Sequence, residues 1–472
     1  MKALLIFVLA VLPGIFPDYS EVTVPENIAP LNFSITETSA DSFRAEFSSG
    51  PVSFTVKSRS GDINIPFKKW KALIDDGNGT ITVSTAARRN GNWESYKPFN
   101  IYVSSDRIDS YIAYRLIPPG YEVWGQMGIY QRCLESYAQI PIAENRLTDE
   151  NCMNCHSFAN RRPDRMMLHM RAEHGGTYIL KDGEIEKVNT KTPETIAAGV
   201  YPQWSNDGRY IAFSVNDIAQ IFHSSDPNRV EVYDYESDVV IYDVEKHELI
   251  FSPLTKSEVY FETMPCFSPD GRALYFCRCR AVENMPHGYQ EAKYNIVKID
   301  FDPATGSLGD NLVTVYDAES EGKSASLPRI SPDGRFLLFT HQTYGQFPIW
   351  HKDADLYLVG LENGDVSRLE NLNSADADSY HSWSSNGRWI VFSSRRDDGL
   401  YTKPYIGHIN AEGKVLKPFL LPQENPREFY LRLMESFNIP EFITGKVEAG
   451  PEDFAKSAID GTASEVTSRK SF

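Results

Sequence analysis

The sequence predicts a mostly β protein: an N-terminal β-sandwich, a short helical segment, then a β-propeller of five or six blades. Three observations carry that expectation. Period-two alternation fills residues 28–114, helical spacing marks 131–174, and one turn-and-strand unit recurs four times between residues 201 and 392. The 472 residues are 41% hydrophobic and 24% charged, a globular composition with enough chain for more than one domain. With 47 Lys and Arg against 64 Asp and Glu, the net charge of −17 repels phosphate backbones, so no nucleic-acid partner is expected.

Met1 and Lys2 precede an apolar run, residues 3–16, that falls short of the roughly 20 residues needed to span a bilayer as a helix. Residues 1–22 read as a secretory signal, or as an uncleaved N-terminal anchor giving peripheral membrane association. In residues 28–130, Ser42-Phe43-Arg44-Ala45-Glu46-Phe47, Val52-Ser53-Phe54-Thr55-Val56, Thr80-Ile81-Thr82-Val83-Ser84 and Phe99-Asn100-Ile101-Tyr102-Val103 alternate like half-buried antiparallel strands of a sandwich.

In residues 131–174 the pattern turns helical, with Thr148 as an N-cap and a second helix running from Pro163 to Gly175. Here stands Cys152-Met153-Asn154-Cys155-His156, the Cys-x-x-Cys-His pattern of covalent c-type haem attachment. Two thiols about one helical turn apart add to the vinyl groups of one porphyrin, and the adjoining imidazole ligates iron. Cys152 and Cys155 are therefore expected to hold one haem c and His156 to be its proximal ligand. Met166, His169 and Met170 share a helical face at i, i+3 and i+4, which makes His169 the candidate distal ligand and either methionine its alternative. A disulfide and half a zinc site are the competing readings of the cysteine pair. Arg161, Arg162, Arg165 and Arg171 are candidates to meet haem propionates.

Residues 175–424 hold the repeats. Tyr201-Pro202-Gln203-Trp204, Met264-Pro265-Cys266-Phe267 and Leu327-Pro328-Arg329-Ile330 are each followed by a Ser-x-Asp-Gly-Arg turn and an aromatic or aliphatic strand; His381-Ser382-Trp383 leads into Ser384-Ser385-Asn386-Gly387-Arg388 in the fourth copy. Such a turn between strands makes a hairpin, and paired hairpins in series make propeller blades. Residues 425–472 read as an amphipathic helix around Phe429–Phe437 followed by a disordered tail. Cys133, Cys266, Cys277 and Cys279 remain, with three pairings open to them. The blade histidines follow no metal-site or hydrolase motif.

The Ser-Pro-Asp-Gly-Arg turns resemble the PD40 blade. With the Cys-x-x-Cys-His segment, the layout resembles haem-bearing TolB-like proteins of Gram-negative envelopes. That resemblance implies a periplasmic monohaem cytochrome that passes single electrons to an envelope redox partner. The alternative it implies is a scaffold binding an envelope protein or glycan, with the haem structural or sensory. A peroxidase-like enzyme with an open distal site is a third possibility.

Overall fold

The computed structural model describes residues 14–37, 39–118 and 125–471. Residues 1–13 of the expected signal lie outside that set. Its remaining part is folded: Ile15–Phe16 pairs with Phe33–Ile35, and Tyr19 is buried with its hydroxyl donating to the Leu420 carbonyl (3.2 Å).

The alternating N-terminal segments form the expected strands. Val22–Pro25, Phe99–Ser104, Thr80–Arg89, Ser42–Ser49 and Val52–Ser58 make one sheet in that order, and Ile15–Phe16, Phe33–Ile35 and Asp62–Ile63 make another. The helix Phe67–Asp75 lays Trp70 and Leu73 into the core between them.

Among the described residues, six further sheets of four or five strands form a β-propeller-like ring. Blade 1 starts from the inner strand Met153–Phe158, blade 2 from Val200–Trp204, blade 3 from Tyr260–Phe267, blade 4 from Ser324–Ile330 and blade 5 from Asp378–Trp383. Blade 6 is composite: Tyr111–Ile117, Gly128–Cys133 and Gln139–Glu144 take Ser436–Ile443, from the far end of the chain, as their inner strand. Neighbouring inner strands touch around the whole ring. The ring is thus closed by Tyr111–Ile117, Gly128–Cys133, Gln139–Glu144 and Ser436–Ile443, beyond the 175–424 limits that the repeats suggest.

The repeated turn explains its own composition. Gly208, Gly271, Gly334 and Gly387 all have φ between 66° and 74°, where a Cβ is disfavoured. Ser205, Ser268, Ser331 and Ser384 each donate to the Asp or Asn two residues on, and each accepts the amide of the residue five on at 2.9 Å. Serine therefore closes the hairpin from both sides.

Two expectations fail at the ends of the ring. The segment expected to be helical is strand: Met153–Phe158, Arg165–Met170 and Gly176–Lys181 are consecutive strands of blade 1. The tail expected to be disordered pairs in parallel, Ser464–Glu465 on the outer strand of blade 1 and Thr467–Lys470 on that of blade 2, after the helix Pro451–Asp460. The sandwich and ring share one core, in which Phe33 and Phe47 belong to the same cluster as Trp389, Ile406 and Phe437.

Candidate functional site

Each inner strand carries one non-glycine residue in the left-handed region: Cys155, Tyr201, Met264, Leu327, Tyr380 and Ile439, with φ between 48° and 55°. At each of them the pairing register with the next strand shifts. This is a bulge, and it turns the side chain toward the axis of the ring. The residue after the bulge is Pro in four copies and His156 or His381 in the other two, and the third residue after it is Phe158, Trp204, Phe267, Ile330, Trp383 or Phe442. All six bulge residues line a single axial cavity of about 20 Å³, together with His156 and Arg329.

The Cys-x-x-Cys-His pattern is therefore one copy of a sixfold structural position, and this overturns the haem reading. Cys155 stands where the other blades have Tyr, Met, Leu, Tyr and Ile, and His156 stands where four of them have Pro. A porphyrin, enclosed on both faces, needs a pocket of roughly 300 Å³ or more, and the axial cavity does not approach that size. Burial pushes the Cys155 thiol up, and burial together with Arg115 pushes His156 down to about 3, so its imidazole is neutral. Cys152 packs in the blade-1 core beside Met153 and Phe158. The expected distal ligands diverge because strand spacing replaces helical spacing: Met166 and Met170 point into that same core, whereas His169, on the other face, meets Thr177 Oγ1 at 3.3 Å and is held at about 3 by burial. Among the described residues, no group of three or more His, Cys, Asp or Glu gathers as a metal site. The residues do not fit a haem, and a cytochrome, an electron carrier or a haem peroxidase is set aside with it.

On the side of the Ser-x-Asp-Gly turns the channel widens into a mouth of about 90 Å³, walled by the aromatic residues that follow the bulges. Its polar groups include the second residue after five of the six bulges, Gln203, Cys266, Arg329, Ser382 and Glu441, with Asn160 and Asn206 beside them. Arg161 joins them from the first turn of blade 1. Arg161 Nε donates to the Trp383 carbonyl (2.8 Å), Trp383 Nε1 donates to the Arg329 carbonyl (3.1 Å), and one Arg329 terminal nitrogen donates to the Pro328 carbonyl (2.8 Å). Both guanidinium groups are anchored by backbone carbonyls, Arg161 also donating to Asn160 Oδ1 (3.4 Å), and both line the mouth. Glu441 Oε2 is buried without a hydrogen-bond partner, and the neutral His156 ring lies beside it with Nε2 at 4.0 Å. Burial pushes the Glu441 carboxyl up to about 8, against the pull of Arg329 and Arg161.

Sequence reasoning named Arg161 for another role and passed over Gln203, Arg329 and Glu441. The available signal was Ile439-Pro440-Glu441-Phe442 and Cys155-His156-Ser157-Phe158, which align with the four recognised copies once the turn is ignored.

No family model and no curated protein matches the chain. Solved structures similar to it include prolyl oligopeptidase B from Galerina marginata bound to a 25mer macrocyclization substrate, at 10% identity and TM-score 0.38, covering 71% of this chain and 42% of that one. They also include an oligogalacturonate lyase in complex with manganese, at 12% and 0.32, covering 64% of this chain and 84% of that one. An α-L-arabinofuranosidase from Lactobacillus brevis aligns at 12% and 0.33, over 55% of this chain and 94% of that one. The chain spans less than half the length of the oligopeptidase, and no activity passes to it from likenesses this distant. With the Cys-x-x-Cys-His segment resolved into a strand and no metal-site group among the described residues, the resemblance to haem-bearing TolB-like proteins is withdrawn.

Proposed function

We propose that the protein is a binding protein whose working site is the turn-side mouth of the channel, and that it captures a carboxylate-bearing small molecule or chain end. The supporting observation is the convergence of Arg161, Arg329 and the Glu441 carboxyl, whose Oε2 has no hydrogen-bond partner, in one aromatic-walled recess. A guanidinium presents paired donors that match a carboxylate. At neutral pH Glu441 keeps its proton, so it adds a hydroxyl donor in place of a repelling charge. Trp204, Phe267 and Trp383 supply apolar faces for the rest of the ligand.

Calorimetric titration with N-acetyl dipeptides tests this reading, with the corresponding C-terminal amides as controls. The free acids are expected to bind and the amides not to, with Arg329→Met weakening the acids at least tenfold. Equal binding of acid and amide, or no effect of Arg329→Met, overturns it. Export rests on the apolar run 3–16 alone and is proposed on that basis; recovery of the chain only in the cytosolic fraction of a Gram-negative host would remove it.

A further inference from the structure

The opposite end of the channel carries a second recess of contrary chemistry. The two long strands of blade 2, Tyr210–Phe222 and Val230–Asp243, run well past their neighbours and bring Glu231 and Asp234 over this face. With Tyr289, Tyr294, Tyr344 and Gln346 they enclose a space of about 10 Å³. Both carboxylates are buried. Tyr344 Oη donates to Glu231 Oε1 (2.7 Å) and His351 Nε2 lies 2.9 Å from Glu231 Oε2. Tyr294 Oη and Asn216 Nδ2 donate to Asp234 at 2.9 and 2.8 Å.

Two further features show what is missing. Gln346 is 1% exposed, and neither its oxygen nor its nitrogen has a hydrogen-bond partner. A buried amide left unpaired on both sides is costly. Among the described residues, moreover, no Lys or Arg pairs with Glu231 or Asp234, and the His351 ring meets Glu231 alone. Lys293, near the Tyr344 ring, is engaged with the Thr343 carbonyl. The walls are tyrosine rings, Tyr289 stacking on Tyr233 at 5.5 Å and meeting Tyr344 edge-on at 5.5 Å. Their negative faces attract a cation.

We infer that this recess binds a primary ammonium group. It combines carboxylates that lack a Lys or Arg partner, a free amide oxygen and aromatic faces in a volume that accepts one water-sized group. The size admits R–NH₃⁺ and rejects a trimethylammonium head. A metal ion is a poorer fit, because no three His, Cys, Asp or Glu side chains gather here.

The test is calorimetric titration of the full chain with n-butylammonium at physiological ionic strength, beside n-butanol, tetramethylammonium and calcium chloride. Saturable binding of butylammonium alone is expected, weakened at least tenfold in Asp234→Asn and in Gln346→Leu and unchanged in Arg329→Met. The last variant separates this site from the turn-side mouth, so failure of one reading leaves the other standing. Native far-UV circular dichroism checks each variant, with Tyr289→Ala replacing any that does not fold. No saturable butylammonium binding overturns the inference, as does equal binding of butanol or tetramethylammonium, calcium binding in its place, or an affinity unaltered by Asp234→Asn and Gln346→Leu.

Discussion

The two ends of the channel are built from the same blades and carry opposite chemistry. The turn-side end is set by residues two positions after each bulge, where the chain is short, regular and repeated. The far end is set by what lies beyond the regular strands: the overlong hairpin of blade 2 and the loops that bring Tyr289, Tyr344 and Gln346 together. A repeat fixes where side chains point, and departures from it fix which ligand is met.

The largest effect is expected where the ring closes. Phe437, on the closing strand, is buried with its ring 4.6 Å from that of Tyr114. Phe437→Ala should cost about 3–5 kcal/mol, measured by chemical denaturation, and should weaken both ends together. A loss confined to one end would show that the two are not held by a common ring.

At the turn-side mouth, removing the charged donor of Arg329 should cost about 1.5–3 kcal/mol of carboxylate affinity, with no change at the far end. Opposite pH dependences sharpen the contrast. Carboxylate capture should weaken as pH rises through about 8, where Glu441, faced by Arg161, Arg329 and His156, ionises. Ammonium capture should strengthen as pH rises through about 6, where Asp234, buried, hydrogen-bonded by Asn216 and Tyr294 and repelled by Asp217, ionises. Parallel pH profiles would contradict the assignment of these two carboxyls.

The same Glu441 shift bears on stability. Its pKa is raised from 4.5 to about 8 in the folded chain, so between those values the folded state holds a proton that the unfolded state has released. Stability from this group is present below about 4.5 and is lost progressively toward pH 8, at no more than roughly 1.4 kcal/mol per pH unit. Glu441→Gln should flatten that part of the curve in denaturant titrations at successive pH values.

The smallest effect is expected at His156. Four blades carry Pro at this place, and His156 lies in the bulge, outside the paired register. His156→Pro should change stability by less than about 1 kcal/mol in the same denaturation experiment. A large loss would show that the imidazole has a role the repeat does not account for.

The blades were legible where the chain writes them contiguously. Three Ser-x-Asp-Gly turns and one Ser-x-Asn-Gly turn reveal four of them because serine, Asp or Asn, and glycine each perform a local task within five residues. Blade 1 has Ala159 in place of that serine, and blade 6 has no such turn because its inner strand joins the others only in space. The sandwich strands were legible from alternation, but Tyr111–Ile117 and Gly128–Cys133, within the span expected for the sandwich, went to the ring. The spacing of Met166, His169 and Met170 suits a helix as well as it suits nothing in particular on a strand, and pairing between Thr177 and its neighbours decided for the strand.

The sequence by itself determined the β character, the repeated hairpin and the need for a ring, because turn chemistry and alternation act over a few residues. Only the tertiary structure decided the number of blades, the closing strand and the meaning of Cys155-His156. Those depend on which distant segments meet, and a pattern of five residues has the same letters whether it turns as a helix around a cofactor or bulges from a strand onto an axis.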